Sequence, residues 1–224
     1  MIRVYSGGIA VTNSYVLQLQ AGTLMVDAPE GVVDWLREQD LRPDVLFLTH
    51  QHFDHVWDAA AVVSAFGCPV YAWSPYSKDL TLEKLFSLHS GGGLAIPEFV
   101  VTEVLADRPT VQLAGIEWTL HHVPGHSPDS LCLHDPVSGR IFGGDVLFAG
   151  GIGRTDFPMS DPELMQASLS RLLELPGHLL VCSGHGPVTT LEQELRTNPF
   201  LDHVRRARGM AESHGSSELG PRWG

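Results

Sequence analysis

The sequence has few cysteines and no long apolar runs. Its 224 residues include three cysteines, Cys68, Cys132 and Cys182, which are far apart and form no C-x-x-C pair. This pattern argues against a disulfide framework and is typical of a reducing compartment, so we expect a cytoplasmic protein. No apolar run approaches the roughly 20 residues that a membrane-spanning helix needs. The N-terminus also lacks a signal-peptide pattern, and we therefore expect no membrane association.

Basic residues are also scarce. The chain has 14 Lys and Arg against 26 Asp and Glu, which gives a formal net charge of -12. Proteins that bind nucleic acid usually carry a basic excess or at least a basic stripe. The one basic cluster, HVRRARG near the C-terminus, is short. We therefore expect a small-molecule substrate and no nucleic-acid partner; the sequence gives no indication of the oligomeric state.

Strand and helix patterns alternate along the chain. Apolar runs such as TLMVDA, PDVLFLT, RIFGG and LLVCSG predict strands. Helical spacing predicts one helix in GVVDWLREQ and another from Asp54 to Phe66. Asp161 and Pro162 have the residue types of an N-cap and a first helical position. The simplest interpretation is one α/β domain over residues 1–208, followed by a disordered tail at residues 209–224.

Histidine is abundant, with 12 residues, and five of them lie in tight loops. The stretch LTHQHFDHVWDA places His50, His52, Asp54 and His55 within six positions. In extended backbone, residues two apart point to the same side, so His50 and His52 can bind one ion. Asp54 and His55 are adjacent at the start of a predicted helix and face away from that pair. Two ions therefore fit this stretch better than one.

Three more candidate ligands follow other predicted strands. His126 comes after TLHHVPG, Asp145 after RIFGG and His185 after LLVCSG. Loops at the ends of neighbouring strands lie together in space, and α/β proteins commonly build sites there. A glycine precedes each of the three, which lets the backbone turn sharply and approach an ion closely. Imidazole and carboxylate ligands suit zinc, and also iron or manganese.

Four motifs together, THQHFDH, PGHS, FGGD and SGHGP, resemble the metallo-β-lactamase superfamily. The resemblance spans about Val4 to Leu201 and implies an α/β fold of four layers, αββα, in which two mixed β-sheets pack face to face with helices outside. It also implies two divalent metal ions. The ligands implied for the first ion are His50, His52 and His126; those for the second are Asp54, His55 and His185, with Asp145 bridging. Asp27, which ends the TLMVDA strand, resembles a residue that orients a ligand histidine in this family.

Two further segments, LFAGGIGRTDFPMSD and GHGPVTTLEQELRTNPFL, resemble the small bacterial glyoxalase II-like hydrolases of that superfamily. This resemblance implies that a metal-bound hydroxide attacks the carbonyl of a thioester or ester, with Asp54 as the catalytic residue that orients it. Arg154 is the candidate for holding a substrate carboxylate, and Asp156 is its alternative partner. Only 39 residues follow His185. We therefore expect no C-terminal helical extension of the kind that helps true glyoxalase II enzymes bind glutathione, so a glutathione-linked substrate stays open.

Two other activities also stay open. A persulfide dioxygenase shares GRTDF and uses a single iron, whose ligands here would be His50, His126 and Asp145. Against it, SGHGP around His185 resembles the hydrolase branch. A lactonase requires the same attack on a carbonyl and would use the same hydrolytic centre. Hydrolysis of a β-lactam fits less well, because enzymes with that activity typically lack the bridging aspartate that Asp145 would supply.

Overall fold

A six-stranded mixed sheet forms the first half of the molecule in the computed structural model, which describes residues 1–89 and 93–209. Its strands, in spatial order, are β1 (Ile2–Gly7), β2 (Thr12–Leu19), β3 (Gly22–Val26), β4 (Val45–Phe47), β5 (Val70–Ala72) and β6 (Glu103–Val104). The first three strands pair antiparallel, and β3 to β6 pair parallel. The strand β1 has no counterpart among the predicted strands, since most of its side chains are exposed and it lacks a buried apolar run.

A second six-stranded mixed sheet lies against the first. Its strands are β7 (Thr110–Leu113), β8 (Ile116–His122), β9 (Leu131–Asp135), β10 (Arg140–Gly144), β13 (Leu180–Ser183) and β14 (Thr189–Thr190). The strands β10 and β13 pair parallel, and the other neighbours pair antiparallel. A separate two-stranded ribbon is formed by β11 (Leu147–Phe148) and β12 (Gly151–Ile152).

Helices cover the outer faces of both sheets. They are α1 (Val32–Glu38), α2 (Phe53–Val56), α3 (Ala59–Phe66), α4 (Lys78–Thr81), α5 (Glu83–His89), α6 (Pro162–Leu172), α7 (Leu191–Thr197) and α8 (Asp202–Ala207), with a 3-10 turn at Pro199–Leu201. The Asp161 carboxylate caps α6 as predicted, accepting from the backbone N–H of Glu163 at 2.8 Å. Within the described ranges, no helix combines the length and the apolar character needed to cross a bilayer.

Alternating side chains of the central strands produce a layered core. In β4, Val45 and Phe47 pack between the two sheets, whereas Leu46 packs with α1 and α3. In β9, Leu133 faces the space between the sheets and Cys132 packs with α6. Because such strands are buried on both faces, their sequences are nearly continuous apolar runs. The predicted four-layer αββα arrangement is confirmed.

The helix predicted from Asp54 to Phe66 is wrong in one respect, since the structure has two shorter helices there, α2 and α3. Between them the backbone pairs with Ala28. The Ala28 N–H donates to the His55 carbonyl at 2.7 Å, and the Ala28 carbonyl accepts from the Asp58 N–H at 2.9 Å. These bonds replace the intrahelical bonds that a continuous helix would form at the same groups.

The C-terminal part has more helix than predicted, because α8 follows α7 and the 3-10 turn. Arg205 in α8 is buried and donates to the carbonyls of Leu195 at 3.1 Å and Asn198 at 2.8 Å, where α7 ends. This side chain is a polar link that apolar periodicity cannot predict. Of the predicted tail at residues 209–224, all but Gly209 lies outside the described residues, and the domain boundary at residue 208 stays a prediction.

Candidate metal centre

The candidate residues meet at one edge of the sandwich, where strands of both sheets end. In the first sheet, the parallel strands β3 and β4 lead to Asp27 and His50. In the second sheet, the parallel strands β10 and β13 lead to Asp145 and His185. A backbone bridge between Thr12 and His185 joins the two sheets at this edge. Residues that are far apart in the sequence are thus held in one place by the ends of four strands.

All seven residues proposed as ligands converge at this edge. Three sets of side chains each offer ligand atoms within 4.8 Å of one another: His50, His52 and His126; His50, His55 and Asp145; and Asp54, His55 and His185. We call His50, His52 and His126 the first set and Asp54, His55 and His185 the second set; Asp145 lies between these two. Its Oδ1 is 3.2 Å from His55 Nε2, and its Oδ2 is 3.3 Å from His185 Nε2 and 3.5 Å from His126 Nε2. The two oxygens of one carboxylate therefore face both sets.

Several ligand atoms in this cluster are buried without a hydrogen-bond partner among the described residues. They are Nε2 of His50 and His126, together with His55 Nε2 and Asp145 Oδ1, which face each other at 3.2 Å without hydrogen-bond geometry. A buried polar atom left without a partner costs about 1–3 kcal/mol. Imidazole nitrogens and carboxylate oxygens together form a donor set that suits divalent zinc, iron or manganese. The residues therefore fit a divalent metal centre.

Burial keeps three of the histidines neutral. It lowers the pKa of His50 and of His52 well below the ordinary value, and neighbouring histidines lower both further. Burial also lowers the pKa of His126, although the charge of Asp145 acts in the opposite direction. Neutral imidazole is the form that binds a metal ion. The first set is thus in its binding form at neutral pH.

Negative charge dominates the second set. Burial alone would lower the pKa of His55, but the charges of Asp145, Asp54 and Asp27 raise it well above the ordinary value. His185 shows the same balance, because burial lowers its pKa while hydrogen bonds to Asp145 and Asp54 raise it to about 10. Burial opposes ionisation of Asp54, yet the charge of His55 and the bond to His185 hold its pKa at about 2. These carboxylates favour positive charge, which a divalent cation would supply on displacing the protons.

Asp27 orients His55 from the side away from the cluster. Its Oδ2 lies 2.8 Å from His55 Nδ1, and it also accepts from the N–H and the hydroxyl of Thr49 at 2.7 Å and 2.8 Å. Its backbone φ of +58° is in the left-handed region, which aspartate tolerates better than most residues. With Nδ1 engaged, His55 presents Nε2 to the cluster. The role of Asp27 in orienting a ligand histidine stays a prediction.

Two further orienting contacts were missed by the sequence reasoning. The Thr12 hydroxyl donates to Asp54 Oδ2 at 2.7 Å, and the backbone carbonyl of Arg154 lies 2.8 Å from His126 Nδ1. Thr12 lies 42 positions before Asp54, so no local spacing connects the two. A backbone carbonyl leaves no signal in the side-chain sequence. Both contacts fix a candidate ligand from its outer side.

Gln51, between two candidate ligands, was also missed. Its side chain is buried and bridges to the segment before α4, where Oε1 accepts from the Ser77 N–H at 3.0 Å and Nε2 donates to the Pro75 carbonyl at 3.1 Å. Because His50 and His52 point to one side of the extended loop, Gln51 points to the other. This residue therefore joins the ligand loop to the helices at the rim of the site.

The glycines before the candidate ligands combine the expected sharp turn with close packing, since Gly125 and Gly144 have positive φ and a side chain would not fit at Gly125 or Gly184. A Cβ atom at Gly184 would overlap Asp145 Oδ1 and lie 2.6 Å from His55 Cε1. Gly125 has a φ of +145°, and its Cβ would lie 2.5 Å from the backbone nitrogen of Met165 in α6. Gly184 thus makes room for other ligands, and Gly125 makes room for a helix.

Arg154 lies at the rim of the site. Its Nε and Nη2 each donate to the Asp156 carboxylate at 2.7 Å, so the alternative pairing considered for it is formed. Its guanidinium carbon lies 4.1 Å from the ring centroid of Phe157. The arginine side chain is 58% exposed, and Nη1 takes no part in the pair.

A cleft of about 330 Å³ opens onto the cluster, a volume at the lower end of the range for small-molecule sites. Apart from the candidate ligands, Gly153 and Arg154, its walls are apolar: Ala10, Phe53, Leu82, Phe86, Phe148, Ile152 and Phe157. The ring centroid of Phe157 is 5.6 Å from that of His52, and the centroid of Phe148 is 5.9 Å from that of His185. None of these apolar residues was predicted as part of the site.

Comparisons with known proteins agree with this geometry. A family model described as the metallo-beta-lactamase superfamily matches residues 7–185. Hydroxyacylglutathione hydrolase GloC of Haemophilus influenzae is 38% identical over 181 residues, which cover 77% of this chain and 82% of GloC. The probable metallo-hydrolase YqgX of Bacillus subtilis is 32% identical over 194 residues, which cover 85% of this chain and 92% of YqgX.

Two crystal structures share the fold at similar identity. BLEG-1 B3 metallo-beta-lactamase is 32% identical with a TM-score of 0.79, and the match covers 90% of this chain and all of that one. TTHA1623 in a di-iron-bound form is 37% identical with a TM-score of 0.75, and the match covers 89% of this chain and all of that one. The family match includes all seven candidate ligands. This chain belongs to the metallo-beta-lactamase superfamily.

Proposed function

We propose that the protein is a dinuclear metal-dependent hydrolase of a thioester or ester, similar to the hydroxyacylglutathione hydrolases. The observation that carries the proposal is the convergence of two ligand sets on one carboxylate, Asp145, at the base of an open cleft. The similarity to GloC supports a thioester as the substrate. The di-iron form of TTHA1623 supports a centre with two ions.

The proposed ligands divide between the two ions as the converging sets do. One ion would be held by His50, His52 and His126 and the other by Asp54, His55 and His185, with Asp145 shared. Zinc is the proposed metal, with iron or manganese as alternatives. Two divalent ions bound there would bring the pKa of a coordinated water toward neutrality and polarise a substrate carbonyl.

Asp54 is the proposed catalytic residue. Its Oδ2 accepts from the Thr12 hydroxyl at 2.7 Å and lies 3.2 Å from His185 Nε2, so its position and its charge are both fixed. A carboxylate held in this way orients an attacking water and relays the proton that the water loses. The apolar walls of the cleft limit the access of other water molecules to the carbonyl.

Arg154 is the proposed contact for a substrate carboxylate at the rim. Guanidinium forks match carboxylates well, and a substrate would engage the free Nη1 or exchange with Asp156 for the fork. The pair is exposed to solvent, where ion pairs of this kind are weak and exchange readily. Asp156 is therefore a competitor for Arg154 and does not block the site.

Replacement of Asp54 tests the proposal. We expect Asp54→Ala to bind about one metal equivalent fewer per chain and to hydrolyse S-lactoylglutathione about 10²–10⁴-fold more slowly. Asp34→Ala, which removes an exposed carboxylate on α1, is the matched control and should behave like the wild type. Elemental analysis and steady-state kinetics measure the two effects. An Asp54→Ala protein with full metal content and full hydrolysis would overturn the two-metal mechanism.

The same geometry bears on the two alternative activities. A mononuclear iron persulfide dioxygenase would use His50, His126 and Asp145 and would leave the converging set of Asp54, His55 and His185 without a role. A dinuclear hydrolase accounts for both sets and is the better fit. A lactonase would use every residue proposed here, so the comparison of lactone and thioester turnover by the same metal-loaded protein distinguishes it.

A further inference from the structure

We infer that the cleft selects substrates with an uncharged, apolar group beside the scissile carbonyl. The binding surface for that group is an aromatic wall made of Phe53, Phe86 and Phe157, which line the cleft. The inference rests on the proposed hydrolase function and specifies the class of its substrate.

The aromatic wall is continuous and begins beside the first set of candidate ligands. The ring centroid of Phe157 lies 5.6 Å from that of His52 and 5.7 Å from that of Phe86, which in turn lies 4.5 Å from that of Phe53. These spacings are typical of favourable aromatic pairs. Phe53 is buried in the core between the first sheet and its helices, so the inner end of the wall is fixed. The wall is therefore a preformed apolar surface next to the place of the reacting carbonyl.

The opposite side of the cleft is apolar as well. Phe148 and Ile152 come from the β11–β12 ribbon, and the Phe148 centroid is 5.9 Å from that of His185, a member of the second set. A carbonyl placed over Asp145 would thus have apolar surface near both sets of candidate ligands. Groups on either side of the carbonyl would leave water for hydrocarbon surroundings, which favours apolar groups.

Charge in and around the cleft gives little support for an anionic group against the wall. Apart from the candidate ligands, Arg154 is the only cationic side chain among the described residues that line the cleft, and its fork is already paired. The two lysines of the chain border a neighbouring cavity, where Lys78 lies 3.0 Å from Glu98 and Lys84 lies 3.6 Å from Asp79. Away from Arg154, a carboxylate pressed against the wall at Phe53 or Phe86 would lose its hydration without gaining a partner.

The size of the expected selectivity follows from the free energy of moving methylene groups of the substrate from water onto the aromatic wall. Each methylene buried from water favours binding by about fourfold. Two fully buried methylenes would give about sixteenfold, but a chain along the aromatic wall keeps one side open to the cleft. It should therefore gain roughly tenfold for every two added carbons until the wall is covered. A chain that stays in solvent gains nothing.

Alkyl hydroxamates test the inference without any turnover. Their head group chelates the ions and stays constant while the chain grows. For the zinc-loaded protein we expect the dissociation constant to fall roughly tenfold from acetohydroxamate to butanohydroxamate, and again to hexanohydroxamate. Succinic acid monohydroxamate should bind no better than acetohydroxamate. Isothermal titration calorimetry measures all four. Equal affinity along the alkyl series, or tightest binding of the carboxylate, would overturn the inference.

Two variants locate the effect on the wall. In Phe157→Ala and in Phe86→Ala the gain per two carbons should drop to about twofold, since each removes part of the wall. Phe200→Ala is the matched control, because Phe200 is 56% exposed and is not among the residues that line the cleft. The Phe200→Ala protein should keep the full gain in hydroxamate affinity for every two added carbons. A gain that survives in both wall variants would place the chain elsewhere and contradict the inference.

Thioesters of N-acetylcysteamine separate this inference from the proposed function. We expect kcat/KM to rise from the acetyl through the butanoyl to the hexanoyl thioester in the same proportion as hydroxamate affinity. Turnover without any dependence on chain length would refute the apolar selectivity and leave the hydrolase intact. Graded hydroxamate binding without turnover of any thioester would refute the hydrolase and leave the apolar site intact.

Discussion

Asp156 decides how freely Arg154 can meet a substrate. Two donors of the guanidinium are bound to its carboxylate, and both side chains are exposed. We expect Asp156→Asn to raise kcat/KM for S-lactoylglutathione, which carries carboxylates, by about threefold because it weakens the competing pair. The acetyl thioester of N-acetylcysteamine, which has no carboxylate, is the control substrate and should change less than twofold. Equal effects on both substrates would contradict the role proposed for Arg154.

Asp129, in the loop after His126, adds a dependence of stability on pH. Burial raises its pKa to about 6, although a hydrogen bond from the Ser127 hydroxyl acts against the shift. The folded state therefore keeps a proton that the unfolded state loses above about pH 4. The contribution of this group to stability is present below that pH and falls as the pH rises to about 6, after which it is constant.

Replacement of Asp129 by asparagine should remove this fall. As the pH rises from about 4 to about 6, the free energy of unfolding of Asp129→Asn minus that of the wild type should increase by roughly 3 kcal/mol. Urea unfolding of both proteins at matched pH values measures the difference. If the two curves run parallel over this range, Asp129 is ionised in the folded protein and the account of its burial is wrong.

At the scale of elements, the β11–β12 ribbon depends on α7. The Glu194 carboxylate is buried and accepts from the Gly150 N–H at 2.8 Å, the Thr189 hydroxyl at 2.5 Å and the Asn198 amide at 2.9 Å. The Asn198 amide also donates to the Gly151 carbonyl at 2.9 Å. The segment TTLEQELRTNPFL thus contributes to the cleft indirectly, because it holds in place the ribbon that supplies Phe148 and Ile152.

Loss of this anchor should be costly. We expect Glu194→Ala to lower the free energy of unfolding by about 3 kcal/mol, because it leaves several buried donors without an acceptor. Glu192→Ala, at an exposed position of the same helix, is the matched control and should stay within about 0.5 kcal/mol of the wild type. Chemical denaturation measures both. Similar small losses in the two variants would show that the ribbon does not depend on Glu194.

The elements also explain which parts of the molecule the sequence could predict. Strands such as β4 and β9 are buried on both faces, so they appear as apolar runs. The candidate ligands His50, Asp145 and His185 follow the ends of β4, β10 and β13 within three residues. The break between α2 and α3 depends on backbone bonds to Ala28, which no local pattern encodes. The cleft walls come from separate segments whose phenylalanines resemble core residues in sequence. Their role becomes visible only when the chain is folded.

At the scale of the whole molecule, neither sheet alone supplies either set of candidate ligands. The first set combines His50 and His52 from the loop after β4 with His126 from the loop after β8. The second set combines Asp54 and His55 from the first half with His185 from the second. Metal binding is therefore coupled to the packing of the two sheets, because each proposed site exists only when they are docked.

Elemental analysis of the purified protein, paired with turnover of S-lactoylglutathione, tests the central proposal most directly. We predict about two equivalents of divalent metal per chain and hydrolysis of the thioester that is lost when a chelator removes the metal. A single iron per chain, with oxygen uptake on glutathione persulfide and no thioester hydrolysis, would contradict the dinuclear hydrolase.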